Sequence, residues 1–241
     1  MIIAVTNRLL CQGDFRERLE QIARCRPHSI ILREKDLSPA EYEELAAECL
    51  PICSRYNVPL VINSHFDVAR KLKVPRIHLP LEIFLRHRDE LGCFQQTGVS
   101  VHSREEALRA EGLGAGYLIA GHIFPTDCKQ GVPPRGLEFL QEVCAAVSIP
   151  VFAIGGITQF NLRDVLQAGA AGVCVMSQLM TCENPEDVLA ALSIELFERR
   201  EAMLDLREKL LFAEQQRLAG EPTISLDEAH RRLKEKINEK V

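Results

Sequence analysis

Residues able to do chemistry recur at one kind of place in this chain, directly after short apolar runs. Tyr117-Leu-Ile-Ala120 is followed by Gly121-His-Ile-Phe-Pro-Thr-Asp-Cys-Lys129, so His122, Thr126 and Lys129 all follow one candidate strand. An imidazole there could exchange a proton near neutral pH, and a lysine beside a threonine suits an anion. Leu32 is followed by Arg33-Glu34-Lys35, Ile62 by Asn63-Ser64-His65, and the run Thr97–Val101, which carries Ser100, by His102-Ser103. Further on come Gly155-Gly156-Ile157 and Met176-Ser177. A glycine pair lets backbone N–H groups approach phosphate oxygens that a side chain would block, although the same pair also makes a tight turn. Arg33, Lys35 and Lys129 add positive charge suited to the rest of an anionic substrate. Asp127 and Cys128 read as loop residues, because no base stands beside Cys128 to make it a nucleophile.

The elements that must position these residues form a repeating series. Apolar runs begin at Ile2, Ser29, Pro59, Arg76, Thr97, Tyr117, Pro150 and Gly172. Between them lie stretches with three- and four-residue apolar spacing: Phe15 to Ala23, Ala40 to Tyr56, Glu105 to Leu113, Leu137 to Val147 and Asn161 to Ala168. Strand followed by helix, repeated, predicts right-handed βαβ units and a parallel sheet. Eight such units in roughly 195 residues predict an α/β fold of the (β/α)8 barrel type, in which chemistry sits at the C-terminal ends of the strands. The open doubly wound sheet is the rival, but the first run leads into Val5-Thr-Asn-Arg-Leu-Leu-Cys-Gln-Gly13, without its usual glycine fingerprint. Ser38, Ser103 and Thr158 are placed as helix N-caps, with Ser103 and Glu106 at capping-box spacing. In such a barrel the loops after strands seven and eight often bind phosphate, which gives Gly155, Gly156, Met176 and Ser177 that expectation.

The barrel is expected over residues 1–196, followed by a helical extension over 197–241. From about Asn184 to Leu218 the chain reads as one long helix, and Ser225 with Glu228 has the spacing of a second capping box. The extension is expected to pack on the barrel or on another copy and to supply no catalytic residue. Net charge is -5, with no Lys/Arg-rich block, so neither nucleic acid nor an anionic membrane is an expected partner. No apolar run approaches the roughly 20 residues of a membrane span. A cytoplasmic homo-oligomer acting on a small molecule is expected. The nine cysteines, among them Cys25, Cys49, Cys53, Cys144 and Cys174, read as small hydrophobes within apolar patterns, and no set has metal-ligand spacing.

Taken in order, Leu32 to Lys35 (LREK), Val61 to Asn63 (VIN), Gly98 to Ala107 (GVSVHSREEA), Phe124 to Lys129 (FPTDCK), Ala153 to Ile157 (AIGGI) and Val175 to Ser177 (VMS) resemble the thiamine phosphate synthase superfamily. The resemblance covers about residues 1 to 183. Within it, the stretch from Gly121 (GHIFPTDCKQG) looks like the TenI-like thiazole tautomerase branch.

That resemblance implies a cofactor-independent isomerase. A carboxythiazole phosphate would be aromatised by proton transfer through His122, which stands where the synthase branch has proline. Arg33, Lys35, Asn63, Ser100, His102, Thr126, Lys129, Gly155, Gly156, Met176 and Ser177 would bind the substrate and its phosphate, with no metal ligand. Thiamine phosphate synthase, the alternative, joins a hydroxymethylpyrimidine pyrophosphate to a thiazole phosphate. Its family holds the pyrophosphate through Mg²⁺ on two aspartates, one directly after the strand-three asparagine and one after strand four. Here the first position is Ser64, and the second segment reads His78-Leu-Pro-Leu-Glu-Ile83 without an aspartate, so Mg²⁺ is expected only if the synthase alternative holds. A third possibility is a thiazole-phosphate-binding regulatory protein without catalysis.

Overall fold

Every apolar run singled out in the sequence is a strand. In this computed structural model, which describes residues 1–129 and 131–218, the eight parallel strands close on one another in chain order. They are β1 (Ile2–Val5), β2 (Ser29–Leu32), β3 (Leu60–Asn63), β4 (Arg76–Pro80), β5 (Gln96–Val101), β6 (Tyr117–Gly121), β7 (Val151–Ile154) and β8 (Gly172–Val175). Closure is made by β1 and β8, with Ile3 opposite Cys174. The fold is therefore the (β/α)8 barrel. Most of its strands read as apolar runs because both faces are buried, while β4 (RIHLP) and β5 (QTGVSV) carry polar residues. Ile3, Val5, Ile31, Val61, Ile119, Phe152 and Cys174 fill the inside, while the intervening Ile2, Ala4, Ile30, Leu60 and Leu118 pack outward under the helices.

The helices are α1 (Phe15–Arg24), α2 (Pro39–Arg55), α3 (Phe66–Lys71), α4 (Leu81–Arg86), α5 (Arg104–Gly112), α6 (Gly136–Ala146), α7 (Leu162–Gln167), α8 (Ser177–Thr181) and α9 (Pro185–Leu218). α3, α4 and α8 are short, of six, six and five residues. Ser38 opens α2 with a complete capping box to Glu41. Ser103 caps α5 by accepting from Glu106 N–H at 3.1 Å, and the Glu106 carboxylate reaches back to the N–H of His102. Thr158 is not the cap of α7. Its N–H donates to Asn161 Oδ1 at 2.8 Å, and that turn delays the helix to Leu162.

The chain divides into two compact units at Leu196/Phe197. In the first, Leu189 and Leu192 of α9 are buried. In the second, Leu204, Leu210, Leu211, Phe212 and Leu218 of the same helix are exposed. The capping box read at Ser225 and Glu228 lies outside the described residues. All nine cysteines are free thiols. Cys49, Cys53 and Cys174 are buried, whereas Cys25 and Cys144 are only partly so; burial pushes the Cys53 thiol up to about 12. Among the described residues no helix is long and apolar enough to cross a membrane.

Candidate active site

The C-terminal ends of β2 and β6 bring three cations into one field. Arg33 follows β2 directly, its N–H donating to Thr6 Oγ1 at 3.0 Å and its Nη1 lying 3.7 Å from the Met176 sulfur after β8. Lys35 stands two residues further on, exposed. Lys129 closes a single 3₁₀ turn after β6, its N–H donating to the carbonyl of Thr126 at 3.0 Å. The positive charge of Arg33, then burial, then the charge of Lys129 hold the Lys35 ammonium below its ordinary range. Arg33 is itself held down by burial, against the opposing effects of Cys128 and the Glu34 carboxylate. Loops from opposite parts of the sequence thus meet over the barrel mouth. Among the described residues, Arg33, Lys35 and Lys129 have no ion pair with a carboxylate.

Glu34, between two of these cations, faces elsewhere. It is buried, with Oε1 accepting from Thr6 Oγ1 and Oε2 from Arg8 N–H at 2.9 Å. Burial raises its carboxyl above the usual range against the pull of those two hydrogen bonds. Its function is to join β1 to β2 and fix the turn that aims Arg33. Nothing in the spacing of Leu32 to Lys35 distinguished Glu34 from its charged neighbours.

Asn63 ends β3, with its side-chain N–H₂ donating to Ser64 Oγ at 2.9 Å. Its backbone N–H donates to the Tyr42 hydroxyl of α2 at 3.1 Å, and that hydroxyl donates to the Leu32 carbonyl. Tyr42 also stacks on His65, ring centres 3.9 Å apart, so His65 is a packing residue at the start of α3 whose burial lowers its pKa. Ser100 lies inside the barrel with its hydroxyl 2.8 Å from His78 Nε2. His78 is fully buried and held neutral by desolvation, its pKa lowered to about 3. Its ring stacks at 5.6 Å from Tyr117, which lies over Gly98; a Cβ on Gly98 would come within 2.0 Å of the tyrosine ring. Tyr42, His78 and Tyr117 were missed as site supports. The alternation of Arg76, His78 and Pro80 along β4, which puts polar residues on the inner face, was the available signal.

His122 is buried, and its Nε2–H donates to the carbonyl of Val132 at 3.2 Å, across the loop that follows β6. His102 is exposed, with Nδ1 3.0 Å from the Gly121 carbonyl oxygen; that oxygen can only accept, so Nδ1 carries the proton. Gly155 and Gly156 both have positive φ. A Cβ on Gly155 would stand 2.3 Å from His122 Cβ, and one on Gly156 2.4 Å from the Pro125 carbonyl oxygen. The glycine pair therefore lets the β7 loop close on the β6 loop, with Phe124 N–H donating to the Gly155 carbonyl. Ser177 opens the short α8, and the Thr181 hydroxyl donates to its carbonyl at 3.0 Å.

A Mg²⁺ ion does not fit this donor set. Among the described residues no group of three His, Cys, Asp or Glu side chains could hold a metal. After β3 stands the Ser64 hydroxyl, already accepting from Asn63. After β4, Pro80 leads straight into α4, where Glu82 is exposed on the first turn without a second carboxylate. A hard cation requires carboxylate oxygens, and the nearest buried one, on Glu34, is committed to Thr6 and Arg8.

A closed parallel (β/α)8 barrel carries its chemistry at the C-terminal rim, which in this chain holds the three cations and the glycine turn. The chain belongs to the thiamine monophosphate synthase family, whose model matches residues 2–179. It is 35% identical over 186 residues to a thiamine-phosphate synthase of Clostridium tetani, covering 75% of this chain and 88% of that protein. It is 36% identical over 188 residues to thiamine-phosphate synthase 2 of Streptococcus pneumoniae, covering 76% and 88%. Among solved structures, the thiamine phosphate pyrophosphorylase of Pyrococcus furiosus superposes with a TM-score of 0.71 at 30% identity, covering 82% of this chain and 95% of that one.

These relatives overturn the tautomerase expectation. They are named as synthases, which are transferases, so neither the TenI-like branch nor the isomerase class stands, and the proton-transfer role given to His122 in that reaction falls with them. The expectation rested on the stretch from Gly121 (GHIFPTDCKQG), on the missing aspartates at Ser64 and after β4, and on His122 standing where the synthase branch has proline. The structure gives that histidine a position inside the fold, bonded to Val132 across its own loop.

Proposed function

We propose that the chain is a transferase of the thiamine-phosphate synthase kind, which joins an organic pyrophosphate to a thiazole phosphate. The observation that carries this reading is the set of three cations, Arg33, Lys35 and Lys129, without a carboxylate partner among the described residues. In the reaction, the thiazole nitrogen lone pair forms a C–N bond at the methylene carbon of the pyrimidine. The C–O bond to pyrophosphate breaks, and the electron pair leaves with the pyrophosphate oxygen. Negative charge grows on the leaving group, and cations preorganised at that point stabilise it more than they stabilise the bound substrate. No residue need act as a base, because the attacking nitrogen carries no proton.

Within this reading, Asn63, Ser100 and His102 face the pyrimidine and thiazole rings, and Thr126 and the Gly155, Gly156, Met176 and Ser177 loops receive the thiazole phosphate. The enzyme works in the cytoplasm as a homo-oligomer. The test is release of pyrophosphate when both precursors are supplied. Lys129→Ala, at an exposed position, should keep the melting temperature and lower kcat/KM by about a hundredfold or more. Product formation at the unchanged rate in that variant, or none in the wild type, would remove the reading.

A further inference from the structure

The family's pyrophosphate site implies Mg²⁺, and the residues of this rim do not supply one. We propose that this chain neutralises its bound pyrophosphate with Arg33, Lys35 and Lys129 alone, so that binding needs no divalent cation. The inference rests on the reading of the rim as a pyrophosphate site.

Three independent features support it. The first is the donor set. Ser64 offers a hydroxyl already bonded to Asn63, and Glu82 is exposed on the first turn of α4, with no group of three ligating side chains among the described residues. The second is the placement of the acidic groups around β2. Glu34 is bonded to Thr6 and Arg8 and acts on Arg33 only as a nearby charge, and Asp36 pairs with the Arg8 guanidinium, so neither forms an ion pair with Arg33 or Lys35. The third is the mutual repulsion of the cations. The charge of Arg33, then burial, then the charge of Lys129 hold the Lys35 ammonium below its ordinary range, and an anion seated among the three would offset the repulsion. A guanidinium fork and two ammonium groups supply both charge and directed N–H donors to phosphate oxygens.

Calorimetric titration of inorganic pyrophosphate into the full chain tests this, run once in EDTA and once in excess MgCl₂. Pyrophosphate release from the two precursors is followed under the same two conditions. Binding is expected in EDTA, with Mg²⁺ leaving the affinity unchanged or lowering it, because the ion also complexes pyrophosphate in solution. Lys129→Ala should weaken the binding in EDTA about tenfold or more, and raised salt should weaken it in the wild type. Heat that appears only with MgCl₂, or an affinity that rises tenfold with it, overturns the inference while leaving the transferase reading to stand on turnover. Unchanged affinity in Lys129→Ala overturns it as well. Binding in EDTA without turnover in either condition upholds the metal-free site and removes the transferase reading instead.

Discussion

The backbone N–H of Asn63 donates to the Tyr42 hydroxyl at 3.1 Å, and that hydroxyl in turn donates to the carbonyl of Leu32. One side chain of α2 thereby joins the C-terminal ends of β2 and β3, the two strands that deliver Arg33 and Asn63 to the rim. Tyr42→Phe keeps the stacking on His65 but leaves a buried N–H and a buried C=O with one partner fewer each. A loss of about 1–3 kcal/mol is expected, read as a lower urea midpoint at unchanged m-value. An unmoved midpoint would show that the bridge contributes nothing.

Gly156→Ala should be costly for two reasons that add. The residue sits at φ +64°, which costs a side chain about 1–2 kcal/mol, and the new Cβ would meet the Pro125 carbonyl oxygen at 2.4 Å and Phe124 Cβ at 2.8 Å. The β6 loop must then move away from β7, carrying Lys129 with it. The variant is expected to melt lower and to bind pyrophosphate more weakly. If it kept full affinity, the two loops would be independent of each other.

Stability should depend on pH through His78. Its pKa in the folded protein is lowered to about 3 by burial, while in the unfolded chain it lies near 6.5. A depressed base contributes stability that is present above the unfolded value and is lost as pH falls towards the folded one. Unfolding free energy should therefore drop between about pH 6.5 and 3, by up to roughly 1.4 kcal/mol per pH unit from this group. His65 and His28, also lowered by burial, add to the slope in the same direction. His78→Asn should make the slope shallower. A slope identical in wild type and variant would show that His78 takes up its proton without unfolding.

Truncation after Leu196 should leave a folded barrel, because the buried leucines of α9, Leu189 and Leu192, are retained. The exposed Leu204, Leu210, Leu211, Phe212 and Leu218 go with the removed part. Turnover is expected to persist, and mass in solution to fall from oligomer to smaller species. Loss of turnover at unchanged mass would mean that the extension contributes to the active site.

The sequence by itself determined the barrel. Strands buried on both faces are mostly apolar, so β1 to β8 each stood out as a short run with few polar residues, and chemistry-bearing residues followed each of several. The family was equally plain from those segments, because six short motifs stand in the family's order along the chain. The branch of the family was misread from the stretch around His122 and from the missing aspartates. A histidine in a sequence shows only its type, and its bond to Val132 depends on a loop that folds back over ten residues. Tertiary structure alone decided what turns towards what. It gathered Arg33, Lys35 and Lys129 from loops almost a hundred residues apart in the chain, buried Glu34 away from them, and set Gly155 and Gly156 against the β6 loop. Such contacts arise from closing the barrel, which brings β2, β6 and β7 ends together in space while leaving no periodic mark in the chain.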